Sequence, residues 1–185
     1  MQRVGQEGLS VGERASAPPH AGEAVRTQAG LTCVGALSVS ALPAQVLGDL
    51  RTDHAGETGA VCIYKGVLRF ARDPALRAFA ERHMATEQAH LRHIEAWLPL
   101  AERSRLLPLW HMAGWLTGAL PALWGPRQVY ATIEAVERFV DQHYEEQIRR
   151  LETQSDLRPL HHTLLECQGD EVAHRDEAAA ARGPQ

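Results

Sequence analysis

Two Glu-x-x-His motifs, Glu87-Gln88-Ala89-His90 and Glu171-Val172-Ala173-His174, restrict the fold of this chain more than any other feature. Residues three apart on a helix point to the same side, and both motifs fall on apolar stripes. One stripe reads Ala80, Met84 or Glu87, His90, Ile94 and Trp97; the other reads Leu160, Leu164, Cys167, Glu171 and His174. Two single carboxylates are placed alike, Glu57 among Leu50, Val61, Tyr64 and Leu68, and Glu137 among Ile133, Val136, Val140, Tyr144 and Ile148. A carboxylate facing a core is costly unless it is paired. The helices that carry these groups must therefore turn the same faces toward one another.

No strand-like alternation of any length appears, so the chain reads as all-α. A first helix spans residues 43–72, with Pro43 in its first turn and Asp73-Pro74 as its stop. Asp73-Pro74 caps a second helix that runs to about Arg103, and the short connection makes the two antiparallel neighbours. Further helices cover 126–152 and about 157–181, the last ended by Arg182-Gly183-Pro184. Gly56, Gly59 and Ala60 beside Glu57 lower helix propensity; close approach of a neighbouring helix or a ligand accounts for them.

Between Arg105 and Arg127 no residue carries a formal charge, and the apolar run from Leu106 to Trp124 has about the length of a membrane helix. Pro108, Pro121, Gly114, Gly118 and Gly125 speak against a straight spanning rod, while Trp110, Trp115 and Trp124 suit a headgroup layer. Three readings stay open: a crossover dipping into one leaflet, a fully buried crossover, and a true span. Either of the first two provides the long connection that a bundle of paired helices needs.

Residues 1–42 are rich in Gly, Ala, Ser and Pro and read as a poorly ordered tail, leaving 43–182 as the folded domain. The apolar stretch Leu31 to Leu42 resembles a leader core, but it starts far from Met1 behind acidic residues, which argues against export. A net charge of -4 excludes a basic field for nucleic acid. Cys33, Cys62 and Cys167 have neither disulfide-framework nor zinc-ribbon spacing and indicate a reducing compartment.

With 16 Glu and 10 His, about one Glu-x-x-His arises by chance, so the motifs count through their placement. The choice lies between a metal centre and a bundle with buried salt bridges, which are themselves costly. Charge balance favours metal: Glu57, Glu87, Glu137 and Glu171 carry four negative charges, which two divalent ions neutralise. Oxygen donors with the imidazoles of His90 and His174 suit iron or manganese, in the manner of ferritin-like four-helix bundles. Around this set, Asp53 and His54 are candidates to hydrogen-bond a metal-bound imidazole, with an exposed helix start as the alternative. His143 and Tyr144 border the site or, for Tyr144, simply pack; His93 belongs to the rim, and His161-His162 to a solvated face.

Leu50-Arg51-Thr52-Asp53-His54-Ala55-Gly56-Glu57-Thr58-Gly59-Ala60, with Ile63-Tyr64 following, resembles the first-helix signature of the demethoxyubiquinone hydroxylase family. Glu87 with His90, Ala135-Val136-Glu137 with His143-Tyr144 and Gln147-Ile148-Arg149, and Asp170-Glu171-Val172-Ala173-His174 match its later helices. The resemblance covers roughly residues 48–178; Thr52, Thr58, Cys62 and the Gly169 just ahead of Glu171 depart from it. It implies a ferritin-like four-helix bundle with an additional apolar crossover helix. It also implies two iron ions per chain on Glu57, Glu87, His90, Glu137, Glu171 and His174, with Glu87 and Glu171 bridging. The implied reaction is O2-dependent ring hydroxylation of a demethoxyubiquinol, a polyprenyl quinol, with NADH as electron source. Trp110, Trp115 and Trp124 would then give substrate and membrane access, peripherally on the cytoplasmic face of the inner cell membrane. A homo-oligomer and accessory ubiquinone-biosynthesis proteins are the further expected partners. A ferritin-like peroxidase or ferroxidase and a metal-free membrane-associated helical adaptor are the rival readings.

Overall fold

The structure, a computed structural model, describes residues 42–184; the tail, with Cys33 and nearly all of the leader-like stretch, lies outside them. The described residues form α1 (Ala44–Phe70), α2 (Pro74–Trp97), α3 (Leu107–Trp124), α4 (Pro126–Leu151) and α5 (Arg158–Arg182), and no strand. Local chemistry sets their ends. The Asp73 carboxylate accepts from the Leu76 N–H at 2.8 Å, and Pro74 opens the first turn of α2. That helix stops at Trp97, short of the expected Arg103, because Leu98 precedes Pro99 and is held extended at φ -108°. Gly125, at φ 110°, turns α3 directly into α4. α5 runs unbroken through Gly169, whose departure from the family pattern leaves the helix intact.

Side-chain pairs fix the topology. Tyr64 meets Glu137 and Tyr144 meets Glu57, so α1 and α4 are antiparallel. His83 meets Glu177 and His90 meets Asp170, which makes α2 and α5 antiparallel, and Glu134–Arg182 with Asp141–Arg175 does the same for α4 and α5. With α1 and α2 joined by only Ala71-Arg72-Asp73, α2 and α4 must run in the same direction. No short loop achieves that. α3 carries the chain back, and the result is a ferritin-like bundle of α1, α2, α4 and α5 with α3 laid along α1.

The contact between α3 and α1 is backbone against backbone. A Cβ on Gly118 would stand 1.9 Å from the Ile63 carbonyl oxygen, one on Gly66 2.2 Å from that of Trp115, and one on Gly114 2.3 Å from that of Gly59. The glycines that read as interruptions of a rod are thus packing positions. Because α3 buries only Gly114, Gly118, Ala119 and Ala122, its large residues face out: Trp110 is 42% exposed, Leu123 58% and Trp124 67%. This overturns the fully buried crossover. As for the spanning reading, no helix among the described residues is long and apolar enough to cross a membrane.

The bundle interior has two apolar clusters. One gathers Val67, Leu76, Phe79, Tyr130 and Ile133 toward the end of α1; the other gathers Leu50, Ile94, Leu98, Ile148, Leu160 and Leu164 toward its start. The buried acids and imidazoles lie between them. Gly118→Leu is expected to push α3 off α1 and destabilise by about 3 kcal/mol. Gly169→Ala, where an added Cβ meets nothing within 4 Å, should stabilise by about 0.5–1 kcal/mol. Denaturant unfolding of the two variants checks both signs.

Candidate metal centre

Glu57, Glu87, His90, Glu137, Glu171 and His174 converge in this layer, every one of them buried. Glu57, Glu87, His90 and Glu171 offer ligand atoms that lie within 4.8 Å of one another, and so do Glu87, Glu137, Glu171 and His174. The two sets share Glu87 and Glu171, the carboxylates expected to bridge. His90 Nδ1 lies 3.1 Å from Glu171 and 3.6 Å from Glu87. His174 Nδ1 lies 3.1 Å from Glu87 and 3.4 Å from Glu171. Both imidazoles thus present Nδ1 to the same carboxylate pair.

The outer carboxylates are held by tyrosines. Tyr64 donates to Glu137 at 3.1 Å and Tyr144 donates to Glu57, each tyrosine seven residues beyond the Glu of its own helix. Burial, reinforced by these same carboxylates, keeps both phenols well above their ordinary pKa, so both remain donors. Protein groups nevertheless leave Glu57 Oε2, both oxygens of Glu87, Glu171 Oε2 and His174 Nδ1 without hydrogen-bond partners. A buried polar layer rarely carries so many orphans, and hard oxygen and imidazole donors with unused lone pairs fit a pair of divalent ions. Cys167, beside them, offers no thiolate, since burial pushes its thiol up to about 12.

Protons neutralise the layer when cations do not. Burial, and next the charges of Glu87 and Glu171, hold Glu57 and Glu137 well above the carboxylate range. Burial opposes charge on Glu87 and on both imidazoles, but the close approach of carboxylate and imidazole prevails, bringing Glu87 down to about 2 and raising His90 strongly and His174 to about 9.

The surrounding residues divide. Tyr144 reaches the cluster as expected. Asp53 does not touch either imidazole; it is buried against His143, at 3.1 Å, and Gln147 of α4, and burial raises its carboxyl. His54 faces away and pairs with Glu95 at 3.3 Å, burial keeping it neutral. The residue that does hold an imidazole is Asp170, whose Oδ2 is 3.1 Å from His90 Nε2. His83 was also missed: it is buried one turn before Glu87, with its ring 4.0 Å from that of His174. Its place one turn ahead of Glu87 on the same stripe was the available signal. His93 is exposed, outside both ligand sets, and so is His162.

A cavity of about 260 Å³ leads from the acids toward α3 and α4. Glu57, Glu87, Glu137 and Glu171 line its floor, while Ile63, Trp110, Val140 and the exposed Phe139 line the walls. Gly56 and Ala60 border it as well, which accounts for the small residues beside Glu57.

Four helices presenting two single Glu residues and two Glu-x-x-His pairs to one buried layer define the ferritin-like carboxylate class. Within that class the comparisons are specific. The profile described as "Ubiquinone biosynthesis protein COQ7" matches residues 45–185, and the chain belongs to that family. It is 40% identical over 131 residues to the 3-demethoxyubiquinol 3-hydroxylase of Rhodospirillum rubrum, covering 69% of this chain and 60% of that protein. Against the mitochondrial NADPH-dependent 3-demethoxyubiquinone 3-hydroxylase of Mus musculus it is 33% identical over 132 residues, with the same two shares of 69% and 60%. The 3-demethoxyubiquinol 3-hydroxylase of Acinetobacter baylyi is 30% identical over 162 residues, 86% of this chain and 72% of the relative. The chain thus spans about 60% of the length of the first two relatives.

Filling the layer with cations must expel its protons. Calorimetric titration with Mn(II) in buffers of different ionisation enthalpy should show net proton release, and affinity should rise from about pH 6 to about pH 8. Stability of the metal-free protein has the opposite sign. Glu57, Glu137, His90 and His174 bind protons more tightly folded than unfolded, so their contribution is full below the ordinary values of 4.5 and 6.5 and is lost as pH rises, through about 9 for His174. Glu87, whose contribution disappears only as pH falls through about 2, is constant over this range. Metal-free melts should therefore fall from about pH 6 to about pH 9, and metal-loaded melts should fall less.

Proposed function

We propose that the chain is a di-iron monooxygenase that hydroxylates the ring of a demethoxyubiquinol in ubiquinone biosynthesis. The observation that carries this reading is the apolar cavity ending on the shared carboxylates of the buried layer. The names of the R. rubrum, mouse and A. baylyi relatives supply the substrate and the reaction. Glu57, Glu87, His90, Glu137, Glu171 and His174 would hold two iron ions, with Glu87 and Glu171 common to both. When bound, the iron supplies the reduction of O2 and the insertion of one of its atoms into the ring, the other leaving as water.

The chain's own residues do the rest. The four carboxylates and two imidazoles neutralise and fix the ions, and Tyr64 and Tyr144 hold the outer carboxylates in place. Ile63, Trp110 and Val140 exclude water from the approach and position the ring over the acids. The electron source is a reduced nicotinamide; the sequence reading favours NADH, and the mouse relative's name specifies NADPH. A polyprenyl quinol resides in a bilayer, and the exposed face of α3, with Trp110, Trp115 and Trp124, is the face proposed to lie in one leaflet. The proposed location is peripheral, on the cytoplasmic side of the cell membrane, with a homo-oligomer or accessory biosynthetic proteins as proposed partners.

A peroxidase or ferroxidase has no use for an apolar passage of this size, and a metal-free adaptor would leave the orphaned carboxylate oxygens unexplained. The test is product analysis with a short-chain demethoxyquinol, iron, O2 and NADH or NADPH in parallel. Glu171→Ala should abolish both iron and product. Gly56→Leu, at a position that borders the cavity and where an added Cβ meets nothing within 4 Å, should keep its iron and lose roughly a hundredfold in turnover. Unchanged turnover in Glu171→Ala contradicts the assignment. For the membrane face, Trp110→Asp with Trp115→Asp should abolish flotation with phospholipid vesicles; flotation as strong as before counts against it.

A further inference from the structure

The metal layer is built on an approximate internal repeat. Glu57 and Tyr64 on α1 are matched by Glu137 and Tyr144 on α4, and Glu87 with His90 on α2 by Glu171 with His174 on α5. The repeat fails at the outer sides of the two imidazoles. Asp170, one residue before Glu171, contacts His90 Nε2 at 3.1 Å. Its counterpart before Glu87 is Thr86, whose hydroxyl donates to the Arg82 carbonyl of its own helix. The carboxylates that approach His174, Glu87 and Glu171, both do so at Nδ1. His174 is braced by a ring instead: His83 lies 4.0 Å from it, is stacked on Phe79 at 3.9 Å, and is tied through Nε2 to Glu177 at 2.9 Å.

The geometry points to two inequivalent metal positions: the one at Glu57 and His90 fills first and more tightly, because Asp170 orients His90 from its far nitrogen, while His174 is braced by the clamped His83. This rests on the proposed reading of the layer as a two-metal centre. The physical reason is ordinary. A carboxylate on the far nitrogen of a ligating imidazole fixes its tautomer and raises its basicity, and removing such a partner costs 10–100-fold in affinity. A ring contact fixes orientation without adding charge. Once the first ion has compensated Glu87 and Glu171, the second enters a weaker field.

Anaerobic titration of the metal-free full chain with Co(II), followed by ligand-field absorption and calorimetry, tests this. Two steps are expected, the first at least about tenfold tighter. Asp170→Asn should weaken the first step by roughly 10–100-fold and draw the two together. His83→Ala should act on the second step alone, and His83→Phe, which keeps a ring against His174, should restore it. Asp170 is 57% exposed at the side chain, so its variant removes no core contact, and the wild-type titration needs no variant. Two equal steps in the wild type, or an Asp170→Asn effect on both steps or on neither, overturn the inequivalence and leave the two-metal reading standing. Failure to bind Co(II) stoichiometrically overturns both.

Discussion

Four carboxylates buried in one layer are the constraint on which the architecture depends. Two apolar clusters, one on either side of the layer, provide the hydrophobic drive that closes the bundle. The layer between them opposes it, because desolvated like charges cost more than their pairing returns. Protons on Glu57, Glu137 and both imidazoles make the fold tolerable without cations, and this leaves carboxylate oxygens with no partner. The layer is therefore compact and neutral but unsatisfied. A pair of divalent ions bound there would remove that deficit.

The second constraint is topological. A pairing of α1 with α2 and of α4 with α5, with all bundle neighbours antiparallel, obliges the chain to return along the bundle once. α3 makes that return by pressing glycines against the backbone of α1, and a helix that uses its small residues for contact must turn its large ones outward. The exposed tryptophans and leucines of α3 are thus a consequence of how the crossover is attached. The cavity between α1, α3 and α4 follows from the same arrangement: Gly56 and Ala60 leave a gap that Trp110 bounds without filling.

Helical spans and the converging acids were legible because a stripe of period 3.6 shows which face of a segment is buried. A stripe does not show what that face meets. His54 reads like a neighbour of Glu57 yet turns toward Glu95 on α2. Asp170 lies off the stripe, largely exposed, and reaches His90 only because α2 and α5 pack antiparallel at this height. The end of α2 departs from the pattern for a local reason, since the apolar residues continue past Leu98 while Pro99 forbids the helix to do so. Propensity makes Gly114 and Gly118 look like interruptions, whereas tertiary contact decides their role.

The two flanks of the layer are chemically opposite, and this bears on how a reaction there is kept in order. On the α2–α5 flank, Arg82 and His83 engage Glu177, and His90 engages Asp170, closing the seam with charged and polar contacts. On the α1–α3–α4 flank the approach is apolar and bounded by exposed aromatic residues. Among the described residues, the cavity that reaches the carboxylates opens on the second side, and the groups that contact the imidazoles from outside the layer sit on the first. The approach to the carboxylates and the orientation of the imidazoles are thereby carried by different helices.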